Sequence, residues 1–264
     1  WVEKKECQEW SLRITDDADR LSDGLKTVDF SPRIAKQQID WIGRSTGAEI
    51  DFRVENSDAV VTVFTTRPDT IFGATFIVLA PEHPLVEQLT TAERRDEVNT
   101  YVRAAQAKSE IERQNTDREK TGVSTGAFAI NPANGERIPI FVADYVLMGY
   151  GTGAIMAVPA HDERDYAFAK KFDIPIRQVV ALKDANEEVD LPFVAKTGIL
   201  INSGDLNGLN FAAAKATILA KKMPNIREKV NYKLRDWIFS RQHYWGEPIP
   251  IIYCPDHGPV PGPD

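Results

Sequence analysis

Gly151-Thr152-Gly153-Ala154-Ile155-Met156-Ala157-Val158-Pro159-Ala160-His161-Asp162-Glu163-Arg164-Asp165-Tyr166 runs a turn, a strand and a helix start together without a linker. Glycines 151 and 153 let another backbone or a ligand come close to the strand 152–158, and Met156, Val158 and Pro159 give it an apolar wall. The helix predicted over 163–172 ends at Asp173-Ile174-Pro175, because the residue before a proline disfavours helical backbone. Asp162 and Asp165 then fall in its first turn, where the helix dipole favours carboxylates. The same pair, with His161 just outside the helix, also fits a capping arrangement, and aspartate can do both jobs. A carboxylate held by backbone N–H groups should stay ionised, which suits it to bind an ammonium group better than to act as a general acid. Gly151-x-Gly153 lacks a third glycine and does not lie between a strand and a helix, so it is no Rossmann phosphate loop.

Upstream lies Thr65-Thr66-Arg67-Pro68-Asp69-Thr70, directly after the β-branched strand 59–64. Thr65, Thr66 and Thr70 present hydroxyls that can orient water or accept a sugar hydroxyl, and Arg67 can meet an anion. The plainer alternative is that Asp69 or Thr70 caps a short helix while the threonines simply end a strand.

Around these two segments the pattern is mixed. Residues 1–39 read as helical, with Glu9-Trp10-Ser11-Leu12-Arg13-Ile14 and Ala18-Asp19-Arg20-Leu21 at helical spacing and Ser31-Pro32 opening a further turn. Strands are predicted over 48–54, 59–64, 74–80, 126–130, 138–142 and 152–158, with a strand-like stretch over 176–182. A long surface helix is predicted over 91–115, and a last helix over 211–223 stops at Pro224. Many short strands without a βαβ rhythm imply an α+β fold around a barrel-like, mostly antiparallel sheet with surrounding helices. The expected organisation is a helical lead-in (1–40), a central domain (41–230) and a return segment (231–264).

The chain has 264 residues, 42% of them apolar and 27% charged, as in an ordinary soluble globular protein. No apolar run reaches the length of a membrane span, no signal peptide precedes the polar start, and the chain, beginning at Trp1, reads as an excised piece. Cys7 and Cys254 lie at opposite ends, which argues against a disulfide framework and for a reducing, cytoplasmic setting. A net charge of −7 opposes tight autonomous binding to nucleic acid. Between Phe211 and Trp245, however, eight basic residues face two acidic ones, a local +6 that fits either a solvated helix face with a connector or a stretch passing near RNA phosphates. No metal is expected: His161 and Asp165 are four apart, Cys254-Pro255-Asp256-His257 offers two zinc-type ligands, and neither set has a visible second pair.

Trp41-Ile42-Gly43-Arg44-Ser45, the run 65–73, the run 122–128 and the run 150–166 resemble successive blocks of the editing insertion of bacterial-type leucyl-tRNA synthetases. Trp237-Ile238-Phe239-Ser240-Arg241-Gln242-His243-Tyr244-Trp245-Gly246-Glu247-Pro248-Ile249-Pro250 resembles the strand that returns from it to the catalytic domain. The resemblance covers most of the chain in order. It implies hydrolysis of misacylated tRNA(Leu), carrying norvaline, isoleucine or methionine, with leucine excluded. Its partners would be the 3′ terminal adenosine of that tRNA and the rest of the synthetase chain, with the chain a monomer and no membrane involved.

Carried over by position, Asp165 would hold the α-amino group, and Thr65, Thr66 and Arg67 would line the site around the ester and the adenosine. Thr70 would be the steric gate against leucine; Tyr150, Met156, Val158, His161 and Asp162 would complete the walls. Editing would need no cofactor. ATP and Mg would belong to the parent's catalytic domain, whose His-Ile-Gly-His and Lys-Met-Ser-Lys-Ser signatures are absent here. Two rivals stand beside this reading: a module that binds the tRNA end without turnover, and a metallohydrolase built on His161 and Asp165. Where such relatives carry Cys-x-x-Cys, this chain has a single cysteine at 254, which puts a zinc knuckle in doubt.

Overall fold

The structure, a computed structural model, describes residues 9–114, 118–149, 151–182, 189–195, 197–221, 224–238 and 251–261. Its centre is a seven-stranded sheet of β1 (Ser45–Val54), β2 (Val60–Thr65), β3 (Phe76–Leu79), β4 (Gly122–Ile130), β5 (Arg137–Ala143), β6 (Ala154–Ala157) and β7 (Ile226–Asn231). The order is β7-β1-β4-β5-β3-β6, with β2 pairing β1. Every pairing is antiparallel except β3 with β5, where Ile77 lies opposite Ile140. The sheet is therefore mixed. Among the described residues no closed ring of ladders is found, and what the structure shows of the α+β expectation is a large mixed sheet with surrounding helices.

Strand periodicity explains the two cores. β3 alternates Phe76 and Val78 toward one cluster with Ile77 and Leu79 toward the other, so all four are buried. The larger cluster gathers Ile50, Phe52, Val61, Val63, Ile71, Met156 and Val158. The smaller one is aromatic: Phe76 stacks on Phe168 at 5.2 Å, and Phe141 meets Phe168 edge-on at 5.3 Å. Each such ring contributes roughly 1.5–3 kcal/mol by leaving water. The ring of Phe168 anchors the Glu163–Lys171 helix, whose buried face is Asp165, Phe168 and Ala169, residues three and four apart.

Several expectations change in the structure. Helix in the first 39 residues is limited to Ala18–Gly24 and Pro32–Ile42 among those described, beside a short 3-10 turn at Ile14–Asp17. Ser11–Leu12 is a strand paired with Trp237–Ile238, a long-range partner that local spacing cannot reveal. The long helix over 91–115 is broken into Ala92–Arg94, Arg95–Gln106 and Glu110–Gln114. Ser109 ends the continuity by exchanging hydrogen bonds with Glu112, a start signal for a new helix. Within 176–182 only Val180–Ala181 forms a strand, opposite Ile199–Leu200.

Candidate functional site

β2 ends at Thr65 and the chain turns sharply. The Thr65 hydroxyl accepts a hydrogen bond from the Arg67 N–H (3.0 Å), and the Thr70 hydroxyl donates to the Arg67 carbonyl (2.9 Å). The short 3-10 helix Pro68–Gly73 follows without a side-chain cap, so neither Asp69 nor Thr70 has the capping role. Asp69, buried beneath the turn, instead takes the Arg67 guanidinium through Nε (3.0 Å) and Nη2 (2.8 Å). The same guanidinium lies 3.9 Å above the Phe211 ring. Arg67 is thus pinned in plane and on one face. Thr66 is exposed.

The opposing wall begins at Gly151 and Gly153, both with positive φ (65° and 74°). A Cβ on Gly151 would come within 3.2 Å of Phe64, so glycine there permits the close approach of this segment to β2. Both glycines lead into a strand, β6, not onto a helix N-terminus, so they offer no phosphate cradle. Asp162 caps the Glu163–Lys171 helix, accepting from the Arg164 and Asp165 N–H groups at 2.9 and 3.1 Å. Asp165, by contrast, is turned inward by the helical period. Its Oδ2 accepts from the Val158 N–H at 2.9 Å, and the buried Tyr145 hydroxyl reaches Oδ1 at 3.4 Å.

Burial pushes the Asp165 carboxyl up to about 7 and the Asp162 charge adds to the rise, while the Val158 amide, Arg164 and Tyr145 hold it back. The expectation that this carboxylate simply stays ionised is therefore corrected: desolvation outweighs a single amide. Burial, then the Asp165 charge, also raises the Tyr145 phenol well above its ordinary value.

His161 precedes the helix. Its Nδ1 lies 2.9 Å from the Phe193 carbonyl, and its Nε2 accepts from the Val179 and Val180 N–H groups at 2.9 and 3.0 Å. Both nitrogens are engaged, which weakens the metallohydrolase alternative. Among the described residues no group of three or more His, Cys, Asp or Glu is placed to hold a metal ion.

The two walls enclose a cleft of about 260 Å³. Of the residues singled out in the sequence, it is lined by Thr65, Thr66, Arg67, Thr70, Met156, Val158, His161, Asp162 and Asp165. Tyr150 lies outside the described residues. Phe64, Ile155 and Arg164 also line the cleft and were missed; all three sit directly beside residues that were found. Tyr145 and Asp69 support it from beneath. The Asp69 carboxylate, two residues from Arg67, carried a readable signal; Tyr145 and Phe193 carried none.

The family profile described as "Leucyl-tRNA synthetase, editing domain" matches residues 39–223. The chain belongs to this family. It is 51% identical along its whole length to a leucine--tRNA ligase of Clostridium perfringens and 54% identical to one of Rubrobacter xylanophilus. In each case it spans 32% of the relative's length. A crystal structure of a leucyl-tRNA synthetase from Agrobacterium radiobacter K84, in a ternary complex with tRNA and LeuAMS, matches with a TM-score of 0.77 and 38% identity. That match covers 96% of this chain and 28% of the other.

Within this editing domain the basic stretch after Phe211 is largely occupied by protein contacts. Lys215 donates to the Thr46 carbonyl (2.7 Å), Lys221 pairs with Asp205, and Arg227 pairs with Glu49 (2.8 Å) and Asp51 (2.7 Å). Arg235 meets Glu110 at 3.3 Å. Lys222 and Arg241 lie outside the described residues. No helix among the described residues is long and apolar enough to cross a membrane.

Proposed function

We propose that this cleft hydrolyses the aminoacyl ester of misacylated tRNA(Leu), with norvaline, isoleucine or methionine as the amino acid released. One observation carries the reading: a hydroxyl-bearing turn and a buried carboxylate, far apart in sequence, converge on a single cleft. The Asp165 carboxylate has one donor on each oxygen and so keeps acceptor capacity for the substrate ammonium. An arriving cation favours the ionised form, and the pair then forms in a site that water has left.

Thr65, Thr66 and Arg67 lie around the ester and the terminal adenosine, and Met156, Val158, His161 and Asp162 complete the walls. Water adds to the ester carbonyl carbon, the bond to the ribose oxygen breaks, and that oxygen takes the proton, leaving free amino acid and intact tRNA. Asp165, engaged by the substrate ammonium, is not free to act as a general base, and no other side chain in the cleft is a strong one. The rate therefore comes from positioning and from hydroxyl and amide donors facing the developing oxyanion.

A second site is needed because one methyl group discriminates by only about 1–3 kcal/mol in an apolar pocket. Thr70 supplies the refusal, by clashing with leucine in the productive pose. This reading uses no cofactor. ATP and Mg belong to the aminoacylation part of a longer synthetase, within which this chain works as a cytoplasmic, monomeric unit.

The test is deacylation of isoleucyl- or norvalyl-tRNA(Leu) by this chain, beside leucyl-tRNA(Leu) and an Asp165→Ala variant. Release of the wrong amino acid is expected, with leucine spared and the variant slowed about 100-fold or more. Equal rates for the parent and Asp165→Ala would remove the assignment.

A further inference from the structure

Behind the cleft, three segments meet on one imidazole. The His161 Nε2 accepts two backbone N–H groups, from Val179 at 2.9 Å and Val180 at 3.0 Å, so the ring proton resides on Nδ1 and is donated to the Phe193 carbonyl at 2.9 Å. The Phe193 N–H returns a bond to the Ala160 carbonyl (2.8 Å), and the His161 N–H donates to the Val158 carbonyl (2.9 Å). Burial lowers the His161 pKa; Arg67 adds to this, while the Phe193 carbonyl and Asp69 oppose it. The neutral form that this network requires is thus the one favoured near neutral pH.

Val179 in turn lies against the end of the short helix that carries Thr70. A Cβ on Gly73 would lie 2.7 Å from the Val179 side chain and 3.0 Å from that of Val158. Gly73 ends the same short helix that carries Thr70. Val179 and Val180 are themselves buried, so without the imidazole their N–H groups would lose a partner where water cannot replace it. From His161 through Val179 to Gly73, a run of contacts that involves no substrate joins the two walls.

We propose that His161 is a positioning residue, which fixes the spacing between the Thr70 turn and the Val158–Asp165 wall and so sets how strictly the cleft refuses leucine. This rests on the hydrolytic reading above and adds a determinant of its specificity. Because both ring nitrogens are engaged by backbone groups, His161 acts through the wall and not as a ligand or base for the substrate.

Two substitutions separate the ring's two roles. His161→Gln can place an amide oxygen near the Nε2 position and keep an acceptor for Val179 and Val180. His161→Asn can keep a donor for Phe193 but strands both N–H groups. In the parent chain, nitrogen-15 shifts should show Nδ1 protonated and Nε2 bare. In His161→Asn, hydrogen-exchange protection of the Val179 and Val180 amides should fall about 10-fold or more. The preference for isoleucyl- over leucyl-tRNA(Leu) in kcat/KM should fall by about 10-fold, while His161→Gln keeps most of both.

A proton on Nε2 in the parent, or unchanged protection and selectivity in His161→Asn, overturns the proposal. Lost protection with selectivity intact also overturns it, since the clamp would then be structural alone. If the parent chain releases no amino acid from any tRNA, the hydrolytic reading fails. The nitrogen-15 and exchange readings still decide whether His161 holds the wall.

Discussion

The two walls of the cleft are built by opposite strategies. The Thr65–Thr70 turn satisfies its polar groups from within: Thr65 with Arg67, Arg67 with Asp69, and Thr70 with Arg67, all two or three residues apart. The wall from Val158 to Asp165 borrows from a distance: Asp165 reaches back to Tyr145, and His161 reaches forward to Val179, Val180 and Phe193. Local satisfaction makes a turn that is robust and chemically mild. Long-range satisfaction leaves a buried carboxyl whose ionisation is opposed by desolvation.

The largest expected consequence is in stability against pH. The folded Asp165 pKa of about 7 stands above the ordinary 3.8, so its contribution is fully present below 3.8 and is lost as pH rises through 7. Asp165→Asn removes that ionisation. Between pH 4 and pH 8 the difference in unfolding free energy should move in the variant's favour by up to ~4 kcal/mol, about three pKa units. Urea midpoints across that range would measure it, and a constant difference would contradict the burial argument.

A smaller effect compares the two arginines of the cleft. Arg67→Ala leaves the buried Asp69 without its partner and should cost roughly 1–3 kcal/mol, less any relief from water reaching the partly exposed pair. Arg164→Ala breaks an open pair with Asp162 and removes a cation that favours ionised Asp165, and should cost about 0–1 kcal/mol. Equal losses in thermal unfolding would mean that the walls are not held differently. Between these two arginines falls Thr65→Ala, which removes one local hydrogen bond and should cost about 0.5–1.5 kcal/mol by the same measurement.

This contrast also separates what was legible in the sequence. The Glu163–Lys171 helix, the strands flanking the cleft and the residues of the turn were readable because their causes are local: period, β-branching, and proline or glycine punctuation. Asp165 shares a face with Phe168 and Ala169, so its burial follows from the helical period, but its raised pKa does not. That depends on how completely the fold desolvates the carboxyl, with the Asp162 charge adding and the Val158 amide, Arg164 and Tyr145 offsetting only part. Ser11–Leu12 was unreadable as a strand because its strand partner among the described residues, Trp237–Ile238, lies at the other end of the chain. Phe193 met His161 for the same reason: the connection is made by folding, and neither residue announces the other.

The most direct measurement is the titration of the Asp165 carboxyl by carbon-13 NMR, alone and with a non-hydrolysable norvalyl-adenosine analogue bearing a free α-amino group. If Asp165 receives the substrate ammonium, its pKa should start near 7 and fall by at least about one unit when the analogue binds. The α-hydroxy counterpart should leave it high. An Asp165 titration indifferent to the amino group would place the ammonium elsewhere and contradict the assignment of this cleft.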